Sequence, residues 1–199
     1  MRRGPKFALA ALAIAATVLL AGCSSDPLAQ QYLSGSGKGY IAGSGVTEVA
    51  PSHRAAPVDF SGPTAEGGTF TSSAERGKVL VVNFWYADCA PCRSEAKDLE
   101  KISRQFADKP VQFIGVNTEN QPVTIRTFDQ SFGVTYPSIV DVNDGHVQLA
   151  FSGDIRPNAT PTTLVLDKEG RIASRVEGPI DAQPSTLVSL INSALSGGT

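Results

Sequence analysis

The chain has 199 residues, of which 41% are hydrophobic and 18% charged, with a net charge of −2 at neutral pH. That is material for one domain around one core. No basic stripe is available to neutralise phosphates, so nucleic acid is excluded as a partner.

Arg2, Arg3 and Lys6 precede an apolar stretch, Phe7 to Ala21, that ends in Leu20-Ala21-Gly22-Cys23-Ser24. Basic residues followed by an apolar run and small residues mark an export signal, residues 1–22. A retained membrane span is the alternative, although the stretch is short against the ~20 apolar residues a span needs. The residues directly before Cys23 resemble the lipobox of bacterial lipoproteins, whose signal is cut before the cysteine and whose cysteine receives lipid. That resemblance makes Cys23 the lipid attachment site; the other reading is a third redox or disulfide cysteine. Loss of the leader takes away three positive charges and no acid, which moves the chain further from nucleic acid. Residues 23–57 include Ser34-Gly35-Ser36-Gly37-Lys38-Gly39 and Gly43-Ser44-Gly45, and read as a flexible, lipid-anchored tether. The folded domain is expected over 58–199.

Within it, Val58–Phe60 and Gly68–Thr71 read as short strands around Ser61-Gly62-Pro63 and Glu66-Gly67, a hairpin before the core. Val79 to Phe84 is β-branched and almost continuously apolar, as a strand buried on both faces requires. From Ala90 to about Ala107, Ala96, Leu99, Ile102 and Phe106 recur at helical spacing. Val111–Val116 is a second core strand, so strand, helix and strand form a parallel pair with a crossover. Pro122 opens a helix that reaches Phe132, and Ser138–Val140 is a short strand. Asp141 to Gly145 resembles a calcium loop, but the glycine comes one place early and no matching Glu follows, so it reads as a turn before His146. Thr162–Asp167 and Arg171–Val176 flank Lys168-Glu169-Gly170, a hairpin, and Ser185–Leu195 closes the chain as a helix.

Cys89-Ala90-Pro91-Cys92 falls where the first core strand gives way to its helix. The first turn of a helix offers unpaired N–H groups and partial positive charge, which favour a thiolate over a thiol. With Cys89 at the cap and Cys92 at the third helical position, Cys89 is the expected nucleophile and Cys92 the thiol that resolves its mixed disulfide. Pro91 suits a position whose N–H has no helical partner. A half zinc site also begins C-x-x-C, but the remaining Cys23, His53 and His146 are scattered, so no metal is expected. A structural disulfide over so short a loop would constrain little chain. An exported dithiol works where disulfides persist and needs an electron source or sink. On a helix Glu95 neighbours Cys92, where it either accepts the Cys92 proton or is an acid favoured by the helix dipole. Thr160-Pro161-Thr162-Thr163 leads into a strand. A cis proline there can press on a sulfur while neighbouring backbone pairs with a docked peptide; a plain strand-leading proline is the alternative. Trp85 and Tyr86 either shield the site and contact substrate or belong to the core.

The order of elements around the motif, and the segment Asn83-Phe84-Trp85-Tyr86-Ala87-Asp88-Cys89-Ala90-Pro91-Cys92-Arg93-Ser94-Glu95, closely resemble the TlpA/ResA/DsbE-type thioredoxin-like proteins over about residues 58–195. The resemblance implies an α/β thioredoxin-like fold, a central mixed β-sheet with helices on both faces, and an extra helical insert over Asn117–Val140. It implies that Pro161 is the cis-proline beside the disulfide, that Thr160 offers backbone to an extended substrate, and that Glu95 serves the resolving cysteine. Asn83 stands where thioredoxin itself carries a buried acid. The implied activity is extracytoplasmic thiol-disulfide exchange without a cofactor, most simply reduction of client disulfides as in cytochrome c maturation. Partners would be the clients and a membrane electron-transfer protein of the thiol-reductant type. A disulfide-forming oxidase or isomerase, and a non-catalytic module handling haem or metal, are the alternatives. Mass spectrometry of the mature protein is expected to find a lipid-modified Cys23 as first residue; a free Cys23 thiol or a later N-terminus overturns the anchor.

Overall fold

The computed structural model describes residues 45–153 and 155–197; the expected export signal, Cys23 and the expected tether as far as residue 44 lie outside them. The centre is β4 (Val79–Trp85), all seven of whose residues are buried. It pairs in parallel with β5 (Val111–Asn117) on one side and antiparallel with β7 (Thr162–Leu166) on the other. Beyond β5 lies the short parallel β6 (Ser138–Val140), and beyond β7 the antiparallel β8 (Ile172–Glu177). A buried strand in a mixed sheet explains the unbroken apolar run read from the sequence.

Alternation along β4 sends its side chains into two cores. Val79 and Val81 pack with Leu99, Ile102 and Phe106 from α1 (Ala90–Gln105) and its end, and with Leu187, Leu190 and Ile191 from α4 (Pro184–Leu195). Leu80, Val82 and Phe84 face the other side, where Val147 of α3 (His146–Ala150), Phe151 and Phe60 cover them. Pro122 opens α2 (Pro122–Phe132), which ends at Gly133 with a left-handed φ of 74°; its Ile125 and Phe128 pack beside the cysteines. The expected helical insert is thus α2 and the loop to β6, with helices on both faces of the sheet. No helix among the described residues is long and apolar enough to cross a membrane.

Two sequence expectations are corrected. The hairpin before β4 pairs β2 (Ser61–Pro63) with β3 (Thr69–Thr71), not Val58–Phe60. Phe60 closes the end of the ribbon instead, its N–H donating to Ser72 Oγ and its C=O accepting from the Ser72 N–H, with its ring against Phe70 and Phe151, while Ser61-Gly62-Pro63, which reads as a turn, forms the strand. Pro63 is tolerated because a two-stranded ribbon leaves one edge of each strand unpaired. Gly62 is required by a close approach: a Cβ there would lie 2.5 Å from Ile139 Cγ2.

The folded part also begins before residue 58. β1 (Val46–Glu48), inside the segment read as tether, pairs antiparallel with β8 as a sixth strand. Arg54 anchors the same segment, donating from Nε to Val49 O at 3.1 Å and from Nη1 to Asp167 Oδ2 at 3.1 Å. Burial alone would raise the Asp167 carboxyl, but the Arg171 backbone N–H and the guanidinium groups of Arg54 and Arg171 outweigh it and hold it below the usual range. Three residues between Gly45 and the Val49-Ala50-Pro51 segment carry too little periodicity to announce a strand. Because the Arg54–Asp167 pair is buried, Arg54→Ala is expected to lower the unfolding free energy by about 3 kcal/mol in denaturant melts, and a chain starting at residue 58 to lose at least as much; a truly free tether would leave both melts unchanged.

Candidate active site

Cys89 is the N-cap of α1 and Pro91 sits within its first turn. The two cysteines form a disulfide, with Cα atoms 5.2 Å apart. The Cys92 N–H donates to Cys89 Sγ at 3.1 Å, so the helix N-terminus delivers one of its unpaired donors to the first sulfur. Cys89 Sγ also lies 3.8 Å from the carbonyl oxygen of Thr160. The Thr160–Pro161 peptide is cis, and Pro161 is buried beside the start of β7. Both cysteines are nearly covered in this oxidised form, 3% and 2% exposed, so Cys89 is not the open residue that a cap position suggests. What distinguishes the two sulfurs is their surroundings. Cys89 meets the helix terminus and the Thr160 backbone, whereas Cys92 faces inward over a small cavity.

The loop that delivers β4 to α1 is clamped from the β5 side. Asn120 Oδ1 accepts from the Ala87 N–H at 2.7 Å and from Asn117 Nδ2 at 3.2 Å, and the Thr118 N–H donates to Trp85 O. Arg93 closes the outer side, donating to Ala87 O at 3.3 Å with its guanidinium over the Phe132 ring. Nothing in the sequence marks Asn120, because the group it holds in the cysteine loop is the Ala87 backbone N–H.

Beneath the disulfide, Glu95 is 0% exposed. Its Oε1 accepts from Asn83 Nδ2 at 3.0 Å and its Oε2 from the Ile180 N–H at 2.9 Å. Asn83 spends its other proton on Thr163 Oγ1, at 3.1 Å. Burial pushes the Glu95 carboxyl up to about 7, the two hydrogen bonds opposing it and the nearby Asp181 adding to it. Glu95 is therefore a buried acid poised to exchange a proton near neutral pH, unlike an exposed acid answering to the helix dipole. Its contact with the Ile180 backbone had no signature in the sequence.

Trp85 requires a correction. Expected as a substrate contact, it is 4% exposed, 4.4 Å between centroids from Phe128, with its indole N–H donating to Ser138 Oγ at 3.2 Å. Strand alternation places it on the α1 face of β4, in the core under the cysteines. Tyr86, next in sequence, is the half-buried aromatic at this end of the strand. Gly115 lets the Trp85 and Ser138 groups meet: a Cβ there would lie 2.2 Å from Ser138 Oγ and 2.7 Å from Trp85 Nε1. Among the described residues no group of three or more His, Cys, Asp or Glu is placed to hold a metal ion. The structure thus gathers Cys89, Cys92, Glu95, Thr160 and Pro161 around one end of β4, removes Trp85 from the surface, and leaves Cys23 outside the described residues.

The sequence pattern of the Redoxin family matches residues 51–191. The chain belongs to the Redoxin family. It is 31% identical over 117 residues to the thioredoxin-like protein YneN of Bacillus subtilis, covering 57% of this chain and 65% of YneN. It is 27% identical over 126 residues to the thiol-disulfide oxidoreductase ResA of Halalkalibacterium halodurans, covering 63% of this chain and 69% of ResA. The chain spans about two thirds of the length of these relatives. A solved thiol:disulfide interchange protein of the thioredoxin family from Chlorobium tepidum is similar over 71% of this chain and 97% of that one, with a TM-score of 0.64 and 26% identity. The fold is therefore thioredoxin-like, as the order of elements implied.

A Redoxin-family chain with a raised Glu95 carboxyl has a defined pH signature. Between an unfolded value near 4.5 and a folded value of about 7, the folded state holds the Glu95 proton and the unfolded state does not, so stability falls as pH rises through that window and levels above it. Glu95→Gln is expected to flatten its share of the fall, about 3 kcal/mol, in melts taken across that range; a slope identical to the parent chain means that Glu95 titrates normally.

Proposed function

We propose that this protein is an exported, lipid-anchored thiol-disulfide oxidoreductase that reduces client disulfides. The observation that carries the reading is a closed Cys89–Cys92 pair at the start of α1 with a protonatable carboxyl, Glu95, buried under it. In the reduced protein the Cys89 thiolate, favoured by the Cys92 N–H and the helix dipole, attacks one sulfur of a client disulfide and expels the other as a thiolate. Cys92 then gives its proton to Glu95 and attacks Cys89 Sγ. That closes the protein disulfide, releases the second client thiolate and transfers one electron pair to the client. The Thr160 backbone, beside Cys89 Sγ, offers an extended client segment its hydrogen bonds, and cis-Pro161 turns the chain there.

Export and the lipid on Cys23 follow from the leader pattern, and residues 23–44 serve as the tether. Each turnover consumes two electrons, so a membrane-embedded thiol reductant must recharge the pair. Clients with disulfides awaiting reduction, as in cytochrome c maturation, fit that arrangement. Two features favour reduction over disulfide formation: a neutral Asn83 in place of a core-strand acid, and a carboxyl set to take the resolving proton.

Cys92→Ala is expected to trap mixed disulfides with clients and Cys89→Ala to trap none; equal trapping by both would erase the assignment of nucleophile. In intact cells the pair is expected to be mostly reduced, with a reduction potential well below the value near −120 mV of a strong oxidant such as DsbA. Since ~30 mV corresponds to a tenfold change in equilibrium for two electrons, the two directions are well separated. A mostly oxidised pair with a potential near the oxidant value makes the protein a disulfide-forming enzyme. Failure to reduce insulin with any dithiol donor makes it a binding module.

A further inference from the structure

A second acid, Asp129, lines the same cavity as Cys92. The cavity below the disulfide, about 10 Å³ and so of a size for one water, is lined by Cys92, Asn83, Trp85, Asp129, Tyr136 and Ser138 among others. Asp129 comes from α2, and its Oδ1 is buried without a hydrogen-bond partner. A buried carboxylate oxygen left unpaired is costly, so the oxygen calls for a water or a proton. The cavity provides for both, since Asp129, Tyr136, Ser138 and Asn83 supply the two to four polar partners that a buried water requires.

The charged groups around Asp129 act in one direction. Glu66, in the turn between β2 and β3, and Glu100 of α1 both repel its negative charge. The cation on its own helix, Arg126, is engaged elsewhere, donating to Ala65 O at 2.6 Å. Glu100 is itself held by Thr135 and Arg104. Tyr136, which shares the cavity, is pushed up in turn by burial and by Glu95, Asp129 and Glu100, and stays a neutral hydroxyl. Burial, with Glu66 and Glu100 adding to it, pushes the Asp129 carboxyl up to about 7.

Glu95 has no comparable outlet. It is fully enclosed, and both oxygens are taken by Asn83 and Ile180. Asp129 is only half buried as a residue, so one side of it meets solvent while Oδ1 looks inward. We infer that Asp129 is a second proton acceptor for Cys92, reached through one water in the cavity, and that it is the acid that hands the resolving proton to solvent. In that step the Cys92 S–H bond breaks and its proton passes through the water to Asp129 Oδ1. The Cys92 sulfur forms the bond to Cys89, and the client thiolate leaves with the electron pair of the broken mixed disulfide. The proton then leaves Asp129 on its solvent side. The inference rests on the dithiol reading above and adds to it a residue from the helical insert.

Two measurements on the folded full chain test it. In the parent protein, carbon NMR of the Asp129 carboxyl across the pH range is expected to give a midpoint well above the ordinary aspartate value, and a different midpoint in the reduced and oxidised forms, because the Cys92 proton is present in only one of them. In reduced Asp129→Asn, the Cys92 thiol is expected to titrate at lower pH than in the parent, since a facing negative charge has gone. Its closure after reaction with oxidised glutathione should slow about tenfold above neutral pH and match the parent below about pH 5, where both acids hold protons. Asp129→Glu should recover part of the rate. A merely structural Asp129 would shift the melting temperature and leave the Cys92 titration and the shape of the rate profile in place, and that result overturns the inference. So does an ordinary Asp129 midpoint that ignores the redox state, a readout that needs no variant. The titrations require no client, so they stand even if the protein fails to reduce insulin. Loss of the rate profile in Glu95→Gln alone would leave the oxidoreductase reading in place with Glu95 as its only acid.

Discussion

The hydrogen bonds from Asn83 and Ile180 to the Glu95 carboxylate join three parts of the chain: the central strand, the cysteine helix and the segment leading into α4. A buried carboxylate without donors would cost several kcal/mol, so the three segments must arrive together for the acid to be tolerated at all. The two bonds satisfy the group without fully supporting its charge. Burial outweighs them, and the outcome is an acid whose proton is nearly balanced at neutral pH. The geometry that holds the helix against the sheet is thereby the geometry that sets the chemistry. The helix places Cys92 one turn above Glu95 and Cys89 at its own N-terminus, so a rotation of α1 about its axis would displace all three together.

Much of this was legible in the chain. β4, α1, the β7–β8 hairpin and α4 carry regular patterns whose period is dictated by burial on two faces, one face or one stripe. Cys89, Cys92 and Glu95 fall at spacings that a helix turns into contacts. The sequence was silent where a partner is a backbone group or a distant segment. The N–H groups of Ile180 and Ala87 have no side-chain signature. Ser61-Gly62-Pro63 has turn composition, yet it is a strand because it pairs with Thr69–Thr71 and lies on Ile139. β1 is three residues between glycine-rich and proline-rich neighbours, and its strand character comes entirely from the edge of β8. Trp85 is open in the sequence for a related reason: proximity to the motif points to substrate contact, whereas alternation along β4 assigns it to the core.

The helical insert is more than an ornament on the thioredoxin-like scaffold. Its Phe128 packs on Trp85 and its Phe132 lies under Arg93, so α2 closes the side of the site that a shorter β5–β6 connection would leave open. Ile125 and Phe128 belong to the same apolar cluster as the two cysteines. Movement of α2 would therefore reach the sulfurs directly, without passing through the sheet.

Gly115 shows how far an atom that is absent can govern a site. Its lack of a side chain lets the Trp85 indole and the Ser138 hydroxyl meet across β5, and those two groups form part of the wall beneath the inner sulfur. An alanine would force one of them aside by most of an ångström, either opening the chamber or filling it. The size of that chamber is thus written into the chain, in part, as a single hydrogen atom in the middle of a strand.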